Sequence, residues 1–195
     1  MFSFFRKNKT DDAAQSEVAE TGDGRTPLQS RADAARAEML WKQGSKMLER
    51  QKYDRAIESM RQAYELEPSR LEGRLNLGAA LFLTHQYEEA VGHFKYVLAF
   101  DPQNTMALLN LAASYDGAGD LPRSIETLEQ LVAKRPQWKD AHYNLAVAYY
   151  KQESYDKATE ALQTELGLNP QHELARSLLN KIYLMPSTHR DKNAD

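Results

Sequence analysis

The sequence predicts an all-α chain built as an array of stacked helical hairpins. Three observations carry this. Prolines recur at Pro68, Pro102, Pro136 and Pro170, each 34 residues after the last, with no insertion between them. The segments that lead into them (AIESMRQAYELEP, AVGHFKYVLAFDP, SIETLEQLVAKRP and ATEALQTELGLNP) place apolar residues at helical spacing. Small residues return to the same two slots in every period. An unbroken period of this length is the signature of repeats, each one supersecondary unit that buries its apolar face only against its neighbours.

Taken in order, residues 1–29 are expected to be disordered: Thr21, Gly22, Asp23, Gly24 and Pro27 interrupt any apolar periodicity. Ser30 and Asp33 resemble an N-capping pair, which sets the expected start of the first helix near residue 30. With each repeat begun 31 residues before its proline, the units are 37–70, 71–104, 105–138 and 139–172. Each proline marks a helix stop, because proline cannot continue a helix and drives its predecessor out of the helical region. Within the frame, position 7 holds Leu77, Leu111 and Leu145. Position 8 is Gly44, Gly78, Ala112 and Ala146; position 20 is Ala56, Ala90, Ser124 and Ala158; position 24 is Met60, Phe94, Leu128 and Leu162. Positions 4, 7, 8 and 11 fall on one face of a first helix, and 20, 24 and 27 on one face of a second. Small side chains at 8 and 20 let the two axes approach, and large ones at 7, 11 and 24 fill the space between hairpins. Residues 186–195 form a polar tail, expected to fray.

Composition removes several function classes. Of 195 residues, 42% are hydrophobic, enough to bury a core. The 25 basic against 28 acidic side chains leave a net charge of −3, which argues against nucleic-acid binding through bulk charge. The absence of cysteine excludes disulfides, thiolate zinc sites and cysteine nucleophiles. No apolar run reaches the ~18–20 residues that span a bilayer, and MFSFFRKNKTDD has no secretory apolar core, so a cytoplasmic protein is expected, with a peripheral membrane position left open.

The pattern L-G/A-x-x-L/Y…Y-x-x-A-x-x-x-F/L…P resembles the tetratricopeptide repeat (TPR) family over 136 of the 195 residues. The resemblance implies a right-handed α-solenoid, a TPR domain spanning 30–185, and a protein-interaction role. Residues 173–185 (ELARSLLNKIYLM) resemble the helix that caps such arrays. The chain also departs from the family pattern. Gln43 replaces the leucine at position 7 of repeat one, and Leu121–Pro122 replace the aromatic start of a second helix, a place where proline suits the first turn. Position 27, usually small, holds Leu131 and Glu165. Glu165 is expected to be solvated or paired with Arg176 of the cap.

No catalytic residue, metal site or cofactor is expected. His85, His93, His142, His172 and His189 form no i, i+4 ligand pair, and no P-loop, G-x-S-x-G or G-x-G-x-x-G occurs. Gly117 and Gly119 are assigned to a helix-to-helix turn. The resemblance puts the function in a concave groove lined by the first helix of each hairpin. Position 5 there supplies Trp41, Leu75, Leu109 and Tyr143, and position 6 a column of Asn76, Asn110 and Asn144. Position 9 supplies Ala79, Ala113 and Val147, and position 12 Phe82, Asp116 and Tyr150. A side-chain amide offers one acceptor and two donors, enough to pair with a peptide's backbone without reading its sequence. The column resembles the asparagine ladder in the TPR domain of O-GlcNAc transferase. A scaffold role for the same amides stands beside that reading. The lysines and arginine of the two-carboxylate clamp of TPR co-chaperones are absent: Trp41, Ser45, Asn76, Met106 and Asn110 occupy the matching positions. Glu38, Glu72 and Asp140 favour an apolar, neutral or basic segment as ligand.

The leading function is therefore a non-catalytic scaffold or adaptor that holds a protein segment and assembles or stabilises a complex. The alternatives are a client-specific assembly or secretion chaperone, and a regulatory subunit tethered to an enzyme. Self-association into a homo-oligomer through the cap or the convex face is a further reading. Residues 1–9 read first as a disordered start, next as an aromatic docking peptide, and last as a membrane-surface anchor, which the acidic stretch behind them opposes.

Overall fold

The computed structural model describes residues 27–185. Among them are nine helices and no strand: α1 (Pro27–Glu49), α2 (Tyr53–Leu66), α3 (Leu71–Leu83), α4 (Tyr87–Phe100), α5 (Thr105–Gly117), α6 (Leu121–Lys134), α7 (Ala141–Lys151), α8 (Tyr155–Leu168) and α9 (Glu173–Tyr183). No described helix is long and apolar enough to cross a membrane. The readings of residues 1–26 and of 186–195 lie outside the described residues.

The second helices, α2, α4, α6 and α8, all end in the same way. The residue after each, Glu67, Asp101, Arg135 and Asn169, has φ between −128° and −138° and ψ between 65° and 83°. Each directly precedes one of the periodic prolines, whose ring excludes the helical region for its neighbour. The turn joining the first and second helix of each hairpin carries a left-handed residue at repeat position 15: Gln51, His85, Gly119 and Glu153, with φ of 58°, 62°, 81° and 63°. Only one of the four is glycine. The first helix differs from expectation, starting at Pro27 rather than near Ser30. Proline is pre-organised for a first helical turn, where its missing N–H has no intrahelical acceptor to lose. Pro122 uses the same property at the start of α6, behind the Asp120 carboxylate, which accepts from Arg123 N at 3.2 Å.

The chain divides into two compact units between Gly73 and Arg74, within the first turn of α3. In the first unit, α1 packs on α2 through Ala37, Leu40, Trp41, Ala56, Ile57, Met60 and Ala63, all buried. A methyl group at Gly44 would come within 2.6 Å of Met60 Cγ, so position 8 is small because position 24 fills its space. The Trp41 indole lies over the Gly73 backbone, where a methyl group would meet the ring at 2.5 Å. Arg70 bridges Glu38, Glu67 and Glu72 at the unit's surface.

In the second unit each helix from α4 to α9 packs against the next in the chain. Gly78 repeats the arrangement of Gly44, with Phe94 Cε1 2.8 Å from where a methyl group would sit. Leu108, Ala112, Leu128, Leu131, Leu145, Ala146, Ala158, Leu162, Ala175 and Ile182 belong to one buried cluster contributed by α5 through α9. The cap helix thus shares the core of the repeats before it, which is how it removes their apolar end face from water.

Candidate functional site

The predicted groove residues of the second unit lie on the first helices α3, α5 and α7. Leu75, Asn76, Ala79, Phe82, Leu109, Asn110, Ala113, Tyr143, Asn144, Val147 and Tyr150 are all half-buried, a strip neither sealed in the core nor fully solvated. Five of them, Leu109, Asn110, Ala113, Asn144 and Val147, line one cavity of about 310 Å3 between α5 and α7. Its floor is Ala112, Ser124, Leu128 and Ala148, and its rim carries Asp116 and Lys151, paired at 2.5 Å. The backbones of the two asparagines are engaged within their helices: Asn110 O accepts from Ser114 Oγ at 2.7 Å, and Asn144 N donates to Asp140 O at 2.9 Å. Their amides border the cavity.

Aromatic side chains at position 12 pack against the aromatic that opens the second helix of the same hairpin. Phe82 meets Tyr87 and Tyr150 meets Tyr155, both with ring centroids 5.7 Å apart. Lys181 of the cap lies 4.9 Å over the Tyr150 ring. Tyr143 lies against His172, rings 4.7 Å apart.

Two expectations are corrected. Trp41 is 4% exposed and packs in the core of the first unit, where Gly73 leaves a slot for its indole, rather than standing half-open like the other predicted groove residues. Glu165 is 1% exposed, and Arg176 does not pair with it, donating instead to the Pro170 carbonyl at 2.5 Å. Glu165 faces Asp140 and His172: one ligand-type atom from each of the three lies within 4.8 Å of the others. No sequence spacing announces that cluster, since its members come from three elements. Lys151 is a cavity residue that was not named among the predicted residues, although its repeat position, 13, belongs to the face that the resemblance turns toward the groove.

Tyr149 lines a different cavity, of about 340 Å3, with Glu129, His142 and Lys157. Burial pushes its phenol pKa well above the ordinary value, and the hydrogen bond it donates to Glu129 Oε1 at 2.5 Å adds to the shift. It is held as a neutral donor, unsuited to proton transfer near neutral pH.

The geometry defines a class: a helical-hairpin repeat protein whose first helices present a half-buried strip of apolar and amide side chains. The tetratricopeptide repeat model matches residues 48–105 and 109–173, and the chain belongs to that family. Proteins of the family mediate protein–protein interaction. No curated protein gives a significant match. Among solved structures, MamA residues 41 to the end from Desulfovibrio magneticus RS-1 is 23% identical, covering 70% of this chain and 77% of that one, with a TM-score of 0.67. YrrB, described as a TPR protein with an unusual peptide-binding site, is 21% identical over 74% of each chain, with a TM-score of 0.69. A thermophilic TPR protein from Thermus thermophilus is 21% identical over 79% of this chain and 84% of that one, with a TM-score of 0.60. At these identities the likeness is one of fold.

Proposed function

We propose that the protein is a non-catalytic adaptor whose second unit holds an extended segment of a partner protein along α5 and α7. The observation that carries this is the cavity that brings Asn110 and Asn144 together with Leu109, Ala113 and Val147. The two amides supply backbone-directed hydrogen bonds, and the apolar side chains beside them supply shallow pockets, the combination by which an extended peptide is held. Asp116 and Lys151 pair with each other across the rim, so the site presents little net charge, which suits a neutral or apolar segment. The peptide-binding site named for YrrB supports the same reading by likeness of fold.

The test places a photo-crosslinking residue at Val147, inside the cavity, or at Gln130, exposed on α6. The reading expects partner adducts from Val147 and none from Gln130. Asn110→Ala with Asn144→Ala then weakens the captured partner by ~1 kcal/mol for each hydrogen bond lost. Adducts from Gln130 alone, or unchanged affinity in the double variant, would refute it. Co-expression of the captured partner separates an adaptor from a client-specific chaperone, because only a client becomes insoluble without its chaperone.

A further inference from the structure

We propose that Asp140, Glu165 and His172 form a binding site for a divalent transition-metal ion, with zinc the best-fitting ion, that ties the last hairpin to the cap. The three residues come from three elements: Asp140 precedes α7, Glu165 lies on α8 and His172 caps α9. One potential ligand atom of each lies within 4.8 Å of the other two, and His172 Nε2 is already 3.2 Å from Asp140 Oδ1. Ligand atoms about 2.0–2.2 Å from a tetrahedral zinc stand ~3.4 Å apart, so side-chain adjustments of about 1 Å close the site.

Glu165 supplies the independent observation. Its side chain is 1% exposed and aimed at this cluster, and its Oε2 has no hydrogen-bond partner among the described residues. A buried carboxylate oxygen without a partner is a group that native structures satisfy with a proton donor or a cation. A cavity of about 400 Å3, lined by Asp140, His172, Tyr143 and Asn169, gives an ion a route in from solvent. The Tyr143 ring, tilted against the imidazole with centroids 4.7 Å apart, packs on His172.

The donor set selects the ion. One imidazole nitrogen with two carboxylate oxygens suits zinc and its first-row neighbours, whereas magnesium and calcium favour all-oxygen sites. Two carboxylates balance the ion's charge, and three protein ligands leave the fourth position of a tetrahedron to water. Binding has a local signature. His172 Nδ1 now accepts from Ala175 N at 3.2 Å, so the ring proton sits on Nε2, towards Asp140. An ion on Nε2 requires that proton on Nδ1, which ends the bond from Ala175 N. Ala175 is therefore a reporter for occupancy.

The experiment uses the full chain, freed of any histidine tag, stripped with a chelator and titrated with zinc against a chromophoric competitor. Three variants preserve the fold: Glu165→Gln is isosteric, Asp140→Asn suits the left-handed φ of 64°, and His172→Asn keeps an N-cap acceptor. His142→Gln is the control. The expected result is one zinc per chain, an affinity at least roughly tenfold weaker in each of the three variants, and no change in the control. In the wild type, the Ala175 amide resonance shifts on loading. Absence of saturable zinc binding, equal affinity in Glu165→Gln and wild type, or binding that leaves the Ala175 resonance in place overturns the proposal.

Discussion

In metal-free buffer, Glu165→Leu should stabilise the protein. Glu165 is 1% exposed and its Oε2 is unpartnered, and a buried polar group in that condition costs about 1–3 kcal/mol. The same slot one repeat earlier holds Leu131, which is 0% exposed, so the scaffold already accepts leucine at position 27. Removing the carboxylate does not strand a partner, because His172 and Asp140 remain 3.2 Å apart. The expected gain is therefore about 1–3 kcal/mol, a rise of ~2–10 °C in melting temperature for a domain of this size. Urea denaturation in the presence of a chelator, read by far-ultraviolet circular dichroism, measures it, with an unchanged m value as the check on mechanism. A leucine variant less stable than the wild type would refute the reasoning, since it would mean that the buried carboxylate already makes a favourable contact without metal.

Three further outcomes follow from the packing and the charges. Gly119→Ala should lose about 1 kcal/mol of stability through the backbone alone, because its φ of 81° disfavours a Cβ while nothing lies within 4 Å of one; thermal denaturation measures this. Gly78→Ala should destabilise by ~1–3 kcal/mol, because a methyl group there would press on the Phe94 ring at 2.8 Å and neither the ring nor the close-packed helices can yield freely; denaturant titration measures the loss. Arg70, and after it Lys42, holds the Glu38 carboxyl below its ordinary pKa of 4.5. The stabilisation from this pair is present above 4.5 and is lost as pH falls through the lower folded value, so a Glu38→Gln variant should narrow the gap to wild type at acid pH and in high salt.

The parts of the fold that repeat were legible. Four pre-proline residues share one non-helical backbone conformation, because a proline recurring every 34 residues acts on its neighbour in the same way each time. Slots 8, 20 and 24 read correctly because a close approach of two helices leaves a size constraint that the letters display. The left-handed position 15 did not read, because Gln51, His85 and Glu153 conceal what Gly119 alone announces. Trp41 was misplaced because a position rule knows the helix face but not that Gly73 leaves room for an indole. Glu165 was misplaced because a carboxylate suggests solvent and a nearby arginine suggests a pair, whereas the Pro170 carbonyl had taken Arg176. Asn110 and Asn144 were legible as a column, and position 13 as groove-facing, but the pairing of Lys151 with Asp116 at the cavity rim became visible only once α5 and α7 were side by side.

The buried cluster that runs from α5 to α9 has a consequence for how the second unit comes apart. Each hairpin owes its stability to the neighbours that cover its two faces, and α9 covers one face with Ala175 and Ile182 as its only fully buried side chains. Opening should therefore begin at α9 and travel inward through the unit rather than strike it all at once. Amide hydrogens in α9 would exchange first and those of α6 and α7 last, giving this unit a graded clock of protection. A partner seated between α5 and α7 would then rest on the slowest part of that gradient, the stretch of backbone that moves least.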